Sequence, residues 1–315
     1  MLEKLKGKNL LYLLLAVNIL LLGVNAFLFL TRNDSSAESP NMQYPYLSKR
    51  IFTENQNDIL INFTPLRQAM RDYVAKQDGK VGVYFEYLPS GTSIGVNDRL
   101  ETKIASLIKI PIVMATYKAI EDNKLTIDKV ITVDQDDLDP SFGDLWREGI
   151  GTRLTVKEAV ELMLKKSDNT AARALTDELP QFAIKDVFDS LDVQADTDNS
   201  VVFISPKSYT SILRSLYLSS YINRDDSNEI LSVLTRTDFP DKLPAGVPRD
   251  IRVAHKIGVF RGDNEHPIYS DCGIIYVPDR PYALCIMTVD LDESTSQKHM
   301  QLLSKMVYGY VAQVK

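Results

Sequence analysis

Hydrophobic positions in this chain follow two spacings, one typical of strands and one typical of helices. Runs of β-branched and aromatic residues predict an early hairpin, Lys80–Leu88 with Thr92–Val96, around a Pro-Ser-Gly turn. Further strands are predicted late in the chain, at Arg252–Ile257, Ile268–Val277 and Tyr282–Asp290. The predicted strands therefore fall into an early group and a late group.

Helical spacing fills the interval between these groups and flanks both of them. A helix over Thr64–Gln77 opens with Pro65 at its first turn, a long apolar helix covers Ala105–Asp122, and Thr155 with Glu158 forms a capping box. Other helices are predicted over Asn169–Asp177, Gln181–Leu191, Pro206–Ser220, Asp226–Thr235 and Ser296–Ala312. Strands separated by a block of helices predict an α+β fold in which an all-helical lobe is inserted.

The N-terminal segment has the composition of a membrane anchor. Three lysines among residues 1–8 precede an apolar run over 9–30, which matches the roughly 20 residues that a helix needs to cross a bilayer. Because the lysines stand on the short side, we expect residues 1–8 in the cytoplasm and the bulk of the chain outside. The alternative is a signal peptide that is cleaved near Ser35–Ala37, but the run is longer than a usual signal core.

The segment after the apolar run is rich in Ser, Asn, Asp and Pro, and it predicts a flexible linker over 31–58. Residues 59–315 are then expected to form one extracytoplasmic domain. The chain is therefore predicted to be a monomeric, single-pass protein of the cell membrane.

Composition excludes several classes of partner and cofactor. Hydrophobic residues make up 44% and charged residues 25%, as in ordinary globular proteins. The net charge is −6 and no basic block follows the first eight residues, so nucleic acid is not an expected partner. The three histidines lack metal-ligand spacing, and Asp134–Asp139 does not fit a calcium loop, so we predict neither a metal nor a cofactor.

Two cysteines, Cys272 and Cys285, lie on adjacent predicted strands around a turn near Asp279 and Arg280. That turn makes them diagonal neighbours, whose Cβ atoms are roughly 7 Å apart and too distant for a good disulfide. We therefore predict two buried free thiols.

An S-x-x-K tetrad, Ser106 to Lys109, opens the long apolar helix. Residues three apart on a helix share a face, and the helix start stabilises negative charge that develops on a serine oxygen. Serine needs a base to attack an acyl carbon, and burial or a second cation lowers the pKa of a lysine enough for it to serve. Ser106 is therefore the candidate nucleophile and Lys109 the candidate base.

Two more elements supply polar side chains suited to the same chemistry. The S-D-N tripeptide at 167–169 ends the capped helix, and its serine and asparagine suit proton relay and amide binding. In the H-K-I-G sequence at 255–258, Lys256 attracts a substrate carboxylate and Gly258 lets a substrate lie against the strand edge. His255 is predicted to pack or hydrogen-bond there rather than to catalyse.

The order S-x-x-K, S-D-N, K-[T/S]-G resembles that of class A β-lactamases and penicillin-binding proteins. The resemblance covers about residues 64–315 and includes the spacing from Ser106 to Ser167 and the contexts Phe85–Tyr87, Leu154–Glu158 and Cys272–Ile275. It implies a β-lactamase or D,D-peptidase-like fold with a five-stranded antiparallel sheet flanked by helices.

The resemblance also implies a role for each matching residue. Ser106 would be the acylated nucleophile, Lys109 the general base, Ser167 the proton relay, Asn169 a substrate ligand and Lys256 the electrostatic anchor. Gly258 would admit the substrate, and the backbone N–H groups of Ser106 and Val259 would form the oxyanion hole.

The chain departs from the family pattern at the third motif. Ile257 replaces the hydroxyl residue that normally meets the substrate carboxylate, which removes a hydrogen bond to a charged group. Arg252 and Arg261 are the candidates to compensate.

A second departure concerns deacylation. The interval from Ser167 to Lys256 is shorter than usual by about the length of the loop that carries the deacylating glutamate of class A β-lactamases. No glutamate lies between Glu178 and Glu229, which leaves Asp196 or Asp198 as substitutes. We therefore expect acylation to persist and deacylation to be slow.

The sequence thus predicts a serine hydrolase that forms an acyl-serine with β-lactams or cell-wall peptide amides; both a slow β-lactamase and a D,D-peptidase remain open. The alternative is an inactive wall-binding or scaffold protein on the same fold. Ile257 and the missing loop favour that alternative, and two lysines that face one serine oppose it. Phe142 and Trp146 are predicted to pack between the lobes, with a place in a substrate groove as the alternative.

Overall fold

The computed structural model describes Tyr46 and residues 62–198, 201–262 and 266–313. Within these ranges no helix is both long enough and apolar enough to cross a bilayer. The predicted stub, anchor and linker, residues 1–8, 9–30 and 31–58, lie outside the described residues apart from Tyr46.

The described ranges contain ten strands and eight α-helices. The strands are β1 (Lys80–Tyr87), β2 (Thr92–Val96), β3 (Thr102–Lys103), β4 (Val130–Thr132), β5 (Arg153–Thr155), β6 (Asp196–Asp198), β7 (Val201–Ile204), β8 (Val253–Phe260), β9 (Ile268–Ile275) and β10 (Tyr282–Val289). The helices are α1 (Thr64–Val74), α2 (Lys109–Glu121), α3 (Val156–Lys165), α4 (Asn169–Thr176), α5 (Ala183–Ser190), α6 (Pro206–Leu218), α7 (Arg224–Leu234) and α8 (Glu293–Gln313).

The central sheet has five antiparallel strands in the order β2-β1-β10-β9-β8. Early and late strands of the sequence therefore pair with each other, and the helical block between them forms the inserted lobe. The prediction of an α+β fold with a five-stranded antiparallel sheet is confirmed. Because β8 is the last strand of the described sheet, its outer edge faces the lobe rather than another strand.

Helices cover both faces of the sheet. On one face, α1 and α8 bury a cluster that includes Leu66 and Leu303 against Val83 and Leu284. On the other face α6 crosses β1, where a Cβ on Gly82 would lie 3.2 Å from the ring of Pro206. Coverage on both sides explains why β9 and β10 are buried at every position, with the continuous apolar sequence that such strands require.

The helix that carries the S-x-x-K tetrad begins later than predicted. Ala105–Ile108 form a 3₁₀ turn, and the α-helix starts at Lys109. Pro111 explains the difference because it lacks the N–H that would bond to the carbonyl of Leu107. The side chain of Tyr209 satisfies that carbonyl instead, with its hydroxyl donating at 3.0 Å.

The prediction of two free thiols is wrong, since Cys272 and Cys285 form a disulfide. They are directly opposed partners of β9 and β10 rather than diagonal neighbours. The turn is centred one residue earlier than expected, with Arg280 N–H donating to Val277 O around Pro278 and a left-handed Asp279. Proline followed by a positive φ favours this turn and shifts the register by two.

A small three-stranded sheet, β3-β7-β6, was not predicted. Its strand β7 is the run Val201–Ile204, which pairs with β3 immediately before the 3₁₀ turn. The β-branched and aromatic composition of that run is the signal that could have identified it.

Candidate active site

Ser106 lies in the 3₁₀ turn between β3 and α2 and is partly exposed. The residue before it, Ala105, has a φ of 46°, a left-handed conformation that costs free energy for a residue with a Cβ. The turn is held by Ile104, whose N–H donates to Val202 O, and by the Tyr209 bond to Leu107. The surrounding structure therefore fixes the serine in a strained but defined position.

Lys109 is 2% exposed and stands one turn after Ser106. Its Nζ lies 3.1 Å from Ser106 Oγ, 2.6 Å from Ser167 O and 3.2 Å from Ser167 Oγ, and it also donates to Asn169 Oδ1. The first and second sequence motifs thus meet at a single amine.

Burial lowers the pKa of Lys109 to about 7, against the partial opposition of the negative charges of Asp168 and Asp139. A lysine with this pKa is neutral in a large fraction of molecules at physiological pH. It can therefore accept a proton from the neighbouring serine hydroxyl.

Ser167 is fully buried and lies between two amines. Its Oγ accepts from Lys109 at 3.2 Å and from Lys256 at 2.8 Å. The φ of Ser167 is 58°, which turns the chain sharply between α3 and α4 and directs both its carbonyl and its hydroxyl towards Lys109. This arrangement links the base to the strand lysine through one hydroxyl.

Lys256 on β8 is 1% exposed. Burial lowers its pKa well below the ordinary lysine value, the charge of Lys109 lowers it further, and Asp271 opposes the shift. Besides Ser167, its Nζ contacts Ile257 O at 3.4 Å and lies 5.8 Å from the ring centre of Phe239.

Asn169 is the first residue of α4, and a polar chain that the sequence did not reveal orients its side chain. The Nδ2 donates to Ser141 Oγ at 2.8 Å, and Ser141 donates in turn to Asp139, which Arg173 pairs at 2.6 Å. Burial raises the pKa of Asp139, but the hydrogen bonds from Ser141 and Asn169 and the charge of Arg173 outweigh it and lower the pKa overall.

Asp168, the middle residue of S-D-N, has a structural role. Its carboxylate caps α4 through Ala171 N–H and also accepts from the N–H groups of Asp144 and Leu145 at 2.8 and 2.9 Å. A Cβ on Gly143 would lie 2.1 Å from the same carboxylate, so only glycine fits there. The preference of aspartate for N-cap positions is the signal that could have predicted this role.

The edge of β8 approaches the nucleophile closely. A Cβ on Gly258 would meet Leu107 at 3.1 Å and Ile104 O at 3.3 Å. The strand residues Gly258 and Val259 therefore lie beside the turn that carries Ser106, as a shared oxyanion hole would require. Ile257 between them is buried at 2% exposure.

His255 faces away from the nucleophile into a buried polar cluster. Its Nδ1 lies 2.8 Å from Asp271 Oδ1, and its Nε2 lies 2.6 Å from Thr237 Oγ1. Asp271 also accepts from Leu243 N–H at 2.9 Å. The residue hydrogen-bonds within the strand layer, as its sequence position suggested.

Two aromatic rings meet beside the lysine and asparagine. The rings of Phe142 and Phe239 have centroids 6.1 Å apart, and Phe142 O accepts from Asn169 N–H. Phe239 had not been identified from the sequence. Trp146 contacts the guanidinium of the adjacent Arg147. In the aspartate-rich turn, Asp134 and Asp137 bind backbone N–H groups of that turn, and the described residues contain no metal-ligand cluster.

Residues 65–311 match the sequence profile of the β-lactamase enzyme family, so the chain belongs to this family of serine hydrolases. Among individual relatives, the β-lactamase VEB-1 of Pseudomonas aeruginosa is 20% identical over 260 residues. That alignment covers 74% of this chain and 86% of VEB-1.

Solved structures share the fold. PBP-A superposes with a TM-score of 0.74 at 24% identity, covering 80% of this chain and 97% of PBP-A. The β-lactamase from Sphaerobacter thermophilus gives 0.73 at 21% identity, covering 81% and 100%. A variant of PBP-A is known as an acyl-enzyme complex with penicillin G.

Proposed function

We propose that this chain is an extracytoplasmic serine hydrolase that forms an acyl-serine at Ser106 with β-lactams or cell-wall peptide amides and releases the acyl group slowly. One observation carries the proposal. Ser106 Oγ, Lys109 Nζ, Ser167 Oγ and Lys256 Nζ form a continuous hydrogen-bonded path, with contacts of 3.1, 3.2 and 2.8 Å.

In the proposed acylation, a proton moves along this path from Ser106 to Lys109 and then through Ser167 to the substrate. Neutral Lys109 takes the proton of Ser106 while Oγ attacks the carbonyl carbon, and the N–H groups of Ser106 and Val259 stabilise the oxyanion. The proton then passes through Ser167 to the leaving nitrogen as the C–N bond breaks. Asn169 holds the amide of the acyl group, and Lys256 keeps Ser167 oriented. The product is an ester of Ser106 and a free amine.

Slow deacylation follows from what surrounds the ester. Each hydrogen-bond partner of Lys109 Nζ is a serine or an asparagine, so the described residues offer no carboxylate hydrogen-bonded to the base. The pair β6 and β7 occupies the sequence interval in which the family carries its deacylating loop. This interval contains aspartates but no glutamate, so we expect activation of water at the ester, and with it hydrolysis, to be slow.

The buried disulfide supports the proposed location. Disulfides persist in oxidising compartments and are rare in the cytosol. The bond between Cys272 and Cys285 therefore agrees with a domain that the segment 9–30 carries across the membrane. The membrane anchor itself remains a prediction from the sequence.

Labelling with a fluorescent penicillin tests the proposal. We expect the wild-type protein to be labelled at one site and Ser106→Ala to be unlabelled. Ser90→Ala, in the exposed turn of the first hairpin, is the matched control and should label like the wild type. A nitrocefin assay then measures turnover, which we expect to stop near one equivalent per protein.

A second candidate function is a non-catalytic wall-binding protein, which the buried alkyl side chain of Ile257 favours. The same assay separates the two. Absence of label in the wild type at saturating penicillin would contradict acyl transfer and favour the binding protein. Rapid continuous nitrocefin hydrolysis would retain acyl transfer and contradict slow deacylation.

A further inference from the structure

One short segment, residues 202–209, contacts the chain on both sides of the candidate nucleophile, and we call it the brace. At its start, Val202 O accepts from the N–H of Ile104 at 2.8 Å, two residues before the nucleophile. At its end, Tyr209 Oη donates to the carbonyl of Leu107 at 3.0 Å, one residue after the nucleophile. The two bonds therefore hold the turn that carries the serine from both ends.

The brace itself is built into regular secondary structure. Strand β7 pairs with β3 in antiparallel register, with Thr102 opposite Ile204. Ser205 then caps α6, its hydroxyl accepting from Ser208 N–H at 3.2 Å, and Pro206 suits the first turn of that helix. A strand pair, a cap and a helix start thus set the separation of the two bonds to the turn.

The carbonyl of Leu107 is the point from which a regular helix would continue. In an α-helix it would accept from the N–H of the residue four positions later, which is Pro111 and has none. The hydroxyl of Tyr209, a fully buried residue, binds there instead. Burial raises the pKa of this hydroxyl well above its ordinary value, so it remains a neutral donor at physiological pH.

Movement of this turn would disturb the proposed chemistry directly. A Cβ on Gly258 would lie 3.1 Å from Leu107 Cγ, so the turn and β8 are in close contact. Ala105, just before the serine, has a φ of 46°, a costly conformation that persists only where the surroundings hold it. A small rotation of the turn would displace Ser106 Oγ from Lys109 Nζ and would move the serine N–H out of the proposed oxyanion hole.

We infer that Tyr209 is a positioning residue for acyl transfer, which acts through the Leu107 carbonyl to hold Ser106 in the geometry of attack. The inference rests on the proposed acylation of Ser106. Strand β7 of the brace lies in the sequence interval where the family carries its deacylating loop. In this chain, that interval therefore supports the acylation step.

Single-turnover acylation of the full chain tests the inference. Rapid-quench mass spectrometry with several concentrations of benzylpenicillin gives the maximal acylation rate constant, the half-saturating concentration and the final number of adducts per protein. Tyr209→Phe removes only the hydroxyl, and we expect the rate constant to fall roughly tenfold. The half-saturating concentration should stay within about twofold, because the hydroxyl binds the turn and not the substrate.

Tyr217→Phe is the matched control, since Tyr217 is a buried tyrosine about two turns further along α6. This variant should keep the wild-type rate constant within about twofold even if its stability falls. The number of adducts separates positioning from folding. A destabilised protein leaves part of the sample unmodified, whereas a displaced serine is modified completely but slowly.

A second variant tests the route through the Leu107 carbonyl. Pro111→Ala restores a backbone N–H at the position from which a helix binds that carbonyl. In Tyr209→Phe/Pro111→Ala, the rate constant should therefore recover to within about threefold of Pro111→Ala alone. A double variant that stays about tenfold below Pro111→Ala would overturn the inference, because the tyrosine would then act by another route.

Failure of the inference and failure of the proposed function give different results. If Tyr209→Phe is acylated at the wild-type rate, whether completely or in part, the inference is overturned while acyl transfer stands. If the wild type is not acylated at all, the proposed function fails and the inference fails with it. If Tyr209→Phe does not fold, the comparison of the double variant with Pro111→Ala decides.

Discussion

Lys256 donates a hydrogen bond of 2.8 Å to the hydroxyl of Ser167, across 89 positions of sequence. One residue lies on the edge strand of the sheet and the other in the turn between two helices of the inserted lobe. This bond therefore joins the two halves of the fold at the point where the chemistry is proposed. Burial of a lysine to this degree lowers the stability of the fold. A site with a purely structural role would not require such a residue.

That cost leads to a prediction for Lys256→Met, which keeps the length and removes the amine. Because burial lowers the folded-state pKa, unfolding of the wild type takes up a proton at Lys256 between that lowered pKa and about pH 10.5. The destabilisation is present at neutral pH and disappears as the pH rises towards the unfolded value. We expect Lys256→Met to be about 0.5–2 kcal/mol more stable at pH 7 and to lose acylation activity.

Urea unfolding at several pH values measures this effect. The advantage of Lys256→Met over the wild type should shrink towards pH 10. Lys157→Met, which removes an exposed lysine of α3, is the control and should change stability by less than about 0.5 kcal/mol. A Lys256→Met protein that is less stable at pH 7 would contradict the account of a costly buried amine.

The pKa of Lys109 predicts how acylation depends on pH. With a value of about 7, the neutral base increases roughly tenfold in population between pH 6 and pH 8. The acylation rate constant, measured by rapid quench with a β-lactam, should rise through an inflection near pH 7.

Lys109→Arg keeps a cation but removes the base, so acylation should fall by about 10²–10⁴ and the inflection should vanish. Lys118→Arg on the same helix forms its ion pair at the surface and should leave the profile unchanged. A wild-type rate that is flat from pH 5 to pH 9, or an inflection that survives in Lys109→Arg, is incompatible with Lys109 as the base.

Two glycines with similar positive φ values test the role of Asp168. Gly143 and Gly149 have φ values of 88° and 84°, but only Gly143 has the Asp168 carboxylate within reach of an added Cβ. Gly149→Ala should cost about 1 kcal/mol through its backbone alone. Gly143→Ala should cost at least about 2 kcal/mol more, because it displaces a carboxylate that binds three N–H groups. If urea unfolding gives the same loss of unfolding free energy for both variants, the contact with the Asp168 carboxylate does not contribute to that loss.

We predict that the disulfide contributes measurably to the free energy of unfolding. Cys272 and Cys285 are 13 positions apart, and a cross-link of that span stabilises a fold by about 3 kcal/mol in the chain-entropy model. The double variant Cys272→Ala/Cys285→Ala should lose about this amount. Thiol titration of denatured protein should find none before reduction and two after it. Two reactive thiols in unreduced protein would restore the free-thiol prediction.

Local sequence signals predicted the sheet and most helices because these depend on short-range composition. Helix α3 begins at its capping box, and the strand β2 has the limits that its turn and β-branched residues indicated. The predictions that were wrong concern details that depend on the contacts of single residues in the folded protein. Pro111 delays the start of α2 by freeing a carbonyl that the Tyr209 hydroxyl binds, and Pro278 shifts the register that pairs the cysteines.

The sequence predicted some residues of the site and missed others for the same reason. Motif spacing indicated Ser106, Lys109, Ser167, Asn169 and Lys256, and the structure brings these side chains together, while their catalytic roles remain proposals. Ser141, Asp139 and Phe239 contribute through contacts between distant loops. No local pattern marks such residues, because their position follows from how α4 and the loop after α7 pack.

Intact-protein mass spectrometry after exposure to benzylpenicillin tests acyl transfer most directly. We predict that the wild-type chain gains the mass of one benzylpenicillin, that the adduct maps to the peptide containing Ser106, and that it persists after the free antibiotic is removed. An unmodified mass at saturating antibiotic, or an adduct that remains in Ser106→Ala, would contradict the assignment of this serine as the nucleophile.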